Sequence, residues 1–315
     1  MPEDLTRNQT ENALAGPRIL ILGAAGQLGV ELQRSFAESG RITAADRSSG
    51  DLANPDQIRA LISAVQPEII LNAAAYTAVD RAESEPQLAH IINAEGPRML
   101  AEEALKLNAL LVHYSTDYVF DGSKSGPWTE SDTTNPLSVY GASKLAGELA
   151  MQSVGCRNLI FRTSWVYGPH GKNFLLTMLR LGRERDRLSV VDDQVGAPTT
   201  SVELARATHA IVTGILTDRF GAAQDWAGIY NMTCAGFTSW FGFAQAIFAR
   251  AATVLGSKAP ELKPIPTADY PTPATRPHNS VLSNEKLHAR FGVQLALWEP
   301  ALDEVFNRLK NESPQ

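Results

Sequence analysis

Short apolar runs alternate with longer amphipathic stretches along most of this chain. Residues 18–22 (RILIL) are an apolar run that stops at Gly23, the pattern of a buried parallel strand. An amphipathic helix is expected to about Ser39, then a second strand at 41–45. Asn54-Pro55 pairs a capping side chain with a first-turn proline and predicts another helix start. Further strands are expected at 68–71, 110–114 and 158–161. A long helix over about 86–108 and a helix carrying Tyr140 and Lys144 separate them. Strands alternating with helices predict an α/β fold, a Rossmann-like doubly wound parallel sheet.

The rhythm changes from about Pro169. Helices are expected at 174–184, from about 202, at 240–255 and at 300–309, with short strands at 188–191 and 229–232. Residues 260–277 hold six prolines, which excludes regular helix and suits a segment folded over a surface or pocket. The chain therefore divides into three parts. Residues 1–16 are polar and read as a disordered extension. Residues 17–168 read as a dinucleotide-binding domain, with returning segments from about 190–250. Residues 169–315 read mainly as a smaller C-terminal α/β substrate-binding lobe.

Composition narrows the classes. The 315 residues are 44% hydrophobic and 20% charged, which suits a soluble protein with a sizeable core. The net charge of -6 argues against a general nucleic-acid binder but leaves a small anionic ligand open. No stretch approaches the roughly 20 apolar residues of a membrane helix. Cys156 and Cys234, the only cysteines, make neither a disulfide framework nor a metal motif, so a reducing cytoplasm is expected.

Candidate chemistry gathers where strands end. Gly23, Gly26 and Gly29 lie three apart between strand and helix, where backbone can approach a pyrophosphate at a helix N-terminus. The same spacing also suits tight packing. Asp46 ends the second strand, where a carboxylate can bind an adenosine ribose, and Arg47 beside it suits a 2′-phosphate. Asn72-Ala73-Ala74-Ala75 offers small residues for a flat cofactor or for close helix–sheet packing. The next strand delivers Ser115, Thr116 and Asp117. Tyr140 and Lys144 are four apart and share one helix face. An ammonium near a phenol favours phenolate, and carbonyl reduction needs a proton donor beside the hydride source.

The glycine loop, NAAAYTAVDRAESEP, HYSTDYVFDG, YGASK, FRTSWVYG, DDQVGAPT and YPTPATRPHNS together resemble the dTDP-4-dehydrorhamnose reductase family of extended short-chain dehydrogenase/reductases. The resemblance covers residues 18–309. It implies reduction of the C4 ketone of dTDP-4-dehydro-L-rhamnose by NADPH or NADH, the last step in supplying activated rhamnose. By the same resemblance Tyr140 is the proton donor, and Lys144 lowers its pKa and holds the nicotinamide ribose. Thr116 bonds the substrate carbonyl or Tyr140, and Asp117 positions the sugar. Gly23, Gly26, Gln27 and Leu28 cradle the pyrophosphate, and Asp46, Asp51 and Leu52 hold the adenosine half. Ala73, Ala74, Ala75 and Tyr114 line the cofactor channel. Trp165 faces the sugar and nucleotide, Arg276 meets the diphosphate, and Asn93 relays protons through water. Glu31 and Glu203 match positions that hold Mg²⁺ between two subunits in some members, so a magnesium-bound homodimer is one expected assembly. Two rivals stay open: another nucleotide-4-ketosugar reductase or epimerase, and a non-catalytic NADP-binding regulatory subunit.

Overall fold

The structure, a computed structural model, describes residues 16–255 and 259–312. The extension expected over 1–16 lies, apart from Gly16, outside the described residues. The main sheet has six strands: β1 (Arg18–Leu22), β2 (Arg41–Ala45), β3 (Ile69–Asn72), β4 (Leu110–Thr116), β5 (Asn158–Thr163) and β6 (Gly228–Asn231). Their order is β6-β5-β4-β3-β1-β2, and every neighbouring pair is parallel. The expected Rossmann-like sheet is present. β1 turns to β2 on one side and the chain then returns to β3 on the other, so a crevice opens at the C-terminal ends of β1 and β3.

The helices of ten or more residues are α1 (Gln27–Phe36), α2 (Pro55–Val65), α3 (Gly96–Leu107), α4 (Val139–Val154), α5 (Phe174–Glu184), α6 (Ser201–Leu216), α7 (Trp240–Leu255) and α8 (Trp298–Glu312). Alternation along β1 explains why both sheet faces are covered. Ile19 and Ile21 pack with Leu32 and Phe36 of α1 and Ile211 of α6. Leu20 and Leu22 pack with Ile58 and Ile62 of α2 and Leu100 of α3. Each buried aliphatic side chain contributes about 1.5–3 kcal/mol. A separate core joins Leu175 of α5, Phe243 of α7 and Leu302 of α8.

Local signals act as the sequence implies. Asn54 caps α2 by accepting from the Gln57 amide at 3.2 Å, with Pro55 in its first turn. Ser138 caps α4 through the Gly141 amide at 3.1 Å, and Gly155, at φ 74°, ends it.

Beyond shifts of a few residues at element ends, such as β5 running on to Thr163, three elements differ from expectation near the site or in kind. The helix over 86–108 is interrupted: Pro86–His90 is α-helical, Ile91–Glu95 is a π turn, and α3 follows. The π turn pushes the Asn93 carbonyl toward α4, where only a glycine fits, because a Cβ on Gly147 would collide with that oxygen. β4 runs two residues further than expected, since Ser115 and Thr116 still pair with Arg162 and Thr163. Glu261–Ile265, inside the proline-rich segment, is a strand paired in parallel with Arg187–Val191. This small sheet has two strands, so both are edges, where a proline such as Pro264 is tolerated.

Candidate active site

The register aligns the C-terminal ends of the central strands. Leu22 lies opposite Ala45 and Asn72, and Asn72 lies opposite His113. At this edge Gly23 takes φ 75° and turns the chain, and a Cβ there would sit 2.7 Å from the Ala74 amide nitrogen. The glycine loop therefore lies directly on the alanine run, whose Ala73 amide donates to Leu22 at 3.1 Å. α1 starts at Gln27 behind Gly26 with no side-chain cap, so its first amides and positive dipole end are presented to the crevice. Gln27 reaches the N-terminus of α5: Asn173 Nδ2 donates to Gln27 Oε1 at 2.9 Å. Leu28 packs half-buried against the core beneath α1.

At the adenosine end, Asp46 caps its own turn. Its Oδ1 accepts from the Ser48 amide at 2.8 Å and the Ser48 hydroxyl at 2.6 Å, bonds that hold its carboxyl below the ordinary value. Arg47 Nε lies 3.6 Å from Asp51, which also accepts from the Ala53 amide. Leu52 is buried below them against Gly96.

The proposed chemistry converges at β4 and α4. Thr116 Oγ1 donates to Asp117 Oδ1 at 3.0 Å and accepts from the Tyr118 amide at 3.2 Å, and it lies near enough to Tyr140 to favour the phenolate. Asp117 is buried, and burial pushes its carboxyl up to about 6, partly offset by Ser280 and Thr116. Tyr118 meets Tyr140 edge to face at 5.6 Å. Lys144 is 1% exposed, and its Nζ donates to the Tyr114 carbonyl at 2.6 Å. Burial brings its ammonium down to about 8, with Glu148 opposing.

Here the expectation that Lys144 lowers the Tyr140 pKa meets a different arrangement. Burial pushes the Tyr140 phenol up to about 12, and the largest offsetting interaction is with Thr116. Lys144 is turned to β4 instead. Tyr114 also differs from its expected place. Its ring packs on Phe161 and its hydroxyl bonds Thr208 at 2.7 Å, while its backbone carbonyl accepts from Lys144.

Arg276, expected at a diphosphate, is held by Asp80 through both guanidinium Nη atoms, at 3.1 and 2.8 Å, and also reaches Thr272. Asn93, expected in a water relay, is fully engaged. It accepts from the Tyr76 amide at 2.8 Å and donates to the Tyr76 carbonyl and Ser143 hydroxyl, each at 3.0 Å. It pins the loop after β3 to α4.

Trp165 adopts φ 48°, rare for a bulky residue and the kind of strain that collects at functional sites. Its ring stacks on Trp240 at 3.5 Å and 10°, and Gly196 leaves room for it. Trp240 was not singled out from the sequence. An apolar helix gives no cue that its first residue faces a tryptophan 75 positions earlier. Nor does anything in the sequence signal that His113 lies between Lys144 and Asn72, because a buried strand hides which polar side chain faces which helix.

The Mg²⁺ expectation is not met. Glu31 accepts from Arg34 at 2.9 Å and Arg308 at 2.8 Å, and Glu203 accepts from Arg206 and from the Ala296 amide. Among the described residues no group of three or more His, Cys, Asp or Glu side chains converges as a metal site.

Comparison with known proteins gives a consistent answer. The family model described as "RmlD substrate binding domain" matches residues 17–311. A dTDP-4-dehydrorhamnose reductase of Burkholderia thailandensis is 48% identical over 290 residues, covering 90% of this chain and 96% of that protein. One from Escherichia coli K12 is 44% identical over 297 residues, covering 92% and 97%. A crystal structure of dTDP-4-dehydrorhamnose reductase from Bacillus anthracis in complex with NADP matches with a TM-score of 0.84 at 36% identity, covering 93% and 99%. A Thermus thermophilus UDP-glucose 4-epimerase complexed with NAD, at 21% identity and a TM-score of 0.76, shares the fold. The glycine turn, the strand-end hydroxyl and carboxylate, and the Tyr140–Lys144 helix thus sit in a known framework: this chain belongs to the dTDP-4-dehydrorhamnose reductase family and is an oxidoreductase.

Proposed function

We propose that this chain reduces the C4 ketone of dTDP-4-dehydro-L-rhamnose to give dTDP-L-rhamnose, with NADPH or NADH. The observation that carries the reading is the convergence of Thr116, Tyr140 and Lys144 beside the glycine turn at one sheet edge. The reduced nicotinamide supplies the hydride when bound. Gly23, Gly26, Gln27 and Leu28 hold its pyrophosphate at the α1 N-terminus. Asp46, Asp51 and Leu52 take the adenosine half, and Ala73, Ala74 and Ala75 form the channel wall.

Tyr140 delivers the proton to the ketone oxygen. A phenol pushed up to about 12 is protonated at neutral pH but a weak acid, so donation requires the bound cofactor and substrate to bring that value down. Thr116 orients that hydroxyl, and Lys144 holds the nicotinamide ribose. Asp117 positions the sugar hydroxyls, and Trp165 offers an aromatic wall to the sugar face. Arg276 meets the diphosphate only after leaving Asp80.

The test is NADPH oxidation followed at 340 nm, with the ketosugar generated in the cuvette by upstream enzymes. Consumption that requires both protein and ketosugar supports the reading. Confirmed NADPH binding without consumption moves the weight to another ketosugar or to a non-catalytic role.

A further inference from the structure

Behind Lys144 runs a short buried chain of polar groups. His113 Nε2 lies 3.1 Å from Lys144 Nζ, and His113 Nδ1 lies 3.0 Å from Asn72 Nδ2. The Ala74 amide donates to Asn72 Oδ1 at 3.1 Å. All three side chains are no more than 1% exposed.

The donor count decides what each group is. The Ala74 N–H fixes Asn72 with its oxygen toward Ala74 and its NH₂ toward His113. An amide NH₂ only donates, so His113 Nδ1 accepts. A neutral imidazole then carries its proton on Nε2, pointing at Lys144. An ammonium has no lone pair to receive it. Turning the Asn72 carboxamide over removes that mismatch but sets its NH₂ against the Ala74 N–H. A neutral amine satisfies every group: its lone pair accepts from His113 Nε2–H, and one of its own hydrogens goes to the Tyr114 carbonyl. His113 cannot escape by charging, since burial and the neighbouring Lys144 hold it well below its ordinary value.

We propose that His113, locked by Asn72 in its Nε2–H tautomer, is a positioning residue that sets the protonation of Lys144 and so makes cofactor binding pH-dependent. This rests on the reading above that Lys144 holds the nicotinamide ribose. The remaining charged groups around α4 leave room for such control. On α4 itself, Tyr140 is pushed up to about 12 and stays neutral across this range, Glu148 is tied to Arg162 of β5 by a buried bidentate pair, and Glu83 accepts from the Val139 amide at 2.9 Å. From the turn after β4 come Asp117 and Tyr118. Asp80 and Arg81, before the π turn, are bound to Arg276 and Glu85. His90 and Glu95 are exposed. On α3, Arg98 pairs with Glu102, and Lys106 with Glu103.

The experiment measures NADPH affinity against pH for the full chain and three variants, with ¹⁵N-histidine NMR of the wild type. Affinity should fall as pH rises through about 8, where Lys144 loses its charge. The limb should vanish in Lys144→Ala. In His113→Gln, an acceptor can face the ammonium. In Asn72→Asp, a carboxylate draws the His113 proton to Nδ1. Both should move the limb up by about one pH unit or more. NMR should report the Nε2–H tautomer. A limb absent from Lys144→Ala yet unmoved in both neighbours overturns the inference alone, as does an Nδ1–H tautomer, which is read without any variant. A limb that survives Lys144→Ala overturns the ribose-holding role and the inference with it.

Discussion

Tyr140 is the residue on which the proposed chemistry turns. Tyr140→Phe removes one hydroxyl and leaves the ring against Tyr118. Turnover should fall by about 10²–10⁴-fold, the usual worth of a positioned acid, while NADPH affinity stays near wild type. Full activity in a folded Tyr140→Phe would sink the role. Asp117 makes a second residue-level prediction. Its carboxyl sits at about 6 against an ordinary 3.8, so the folded protein disfavours its charged form. The stability it provides is fully present below about 4 and is lost as pH rises through about 6. Asp117→Asn should therefore melt higher than wild type at pH 8, by up to about 3 kcal/mol, and show no such gain at pH 4. Thermal melts across that window check it. The Tyr140–Lys144 pairing was legible because a spacing of four is local helix geometry. The partners that set Lys144's state were not, since His113 reaches it from β4 and is itself held by Asn72 of β3.

At the scale of elements, most of the strands and helices could be read because period and caps are local. α5 and α7 run over the expected residues. The π turn could not be read, because it answers to α4 across the interface and not to its own sequence. Gly147 is the diagnostic position. Gly147→Ala would drive a methyl into the Asn93 carbonyl, although alanine is otherwise the better helix former by about 1 kcal/mol. Chemical denaturation should show a net loss of about 1–3 kcal/mol. A stabilised variant would mean that the π turn relaxes at no cost. The strand at Glu261–Ile265 was hidden by its prolines, which argue against helix everywhere but against a strand only in a sheet interior.

For the whole molecule, the Arg276–Asp80 pair is the long-range contact that bears most directly on the site. The two residues are 196 positions apart, and they fasten the proline-rich segment to the loop after β3 beside Tyr118. Nothing in either local sequence announces the other. Arg276→Ala and Asp80→Ala should both speed proteolytic cleavage within residues 266–280 by several-fold. Both should raise the KM for the sugar nucleotide more than they lower kcat. If Arg276 acts on the diphosphate alone, Asp80→Ala should leave the segment as resistant as wild type.

The strand order has a consequence for how the chain is made. β5 is buried along its whole length, and its outer edge is covered only by β6, which arrives after α5, α6 and the intervening loops. A ribosome-bound chain therefore carries an open, apolar strand edge until Asn231 has emerged from the exit tunnel, and such an edge invites pairing with other chains. A fragment ending before Gly228 should appear in the insoluble fraction or bound to chaperones. One extended past Asn231 should be markedly more soluble. The late segment thus closes a template that the first half of the chain leaves exposed during synthesis.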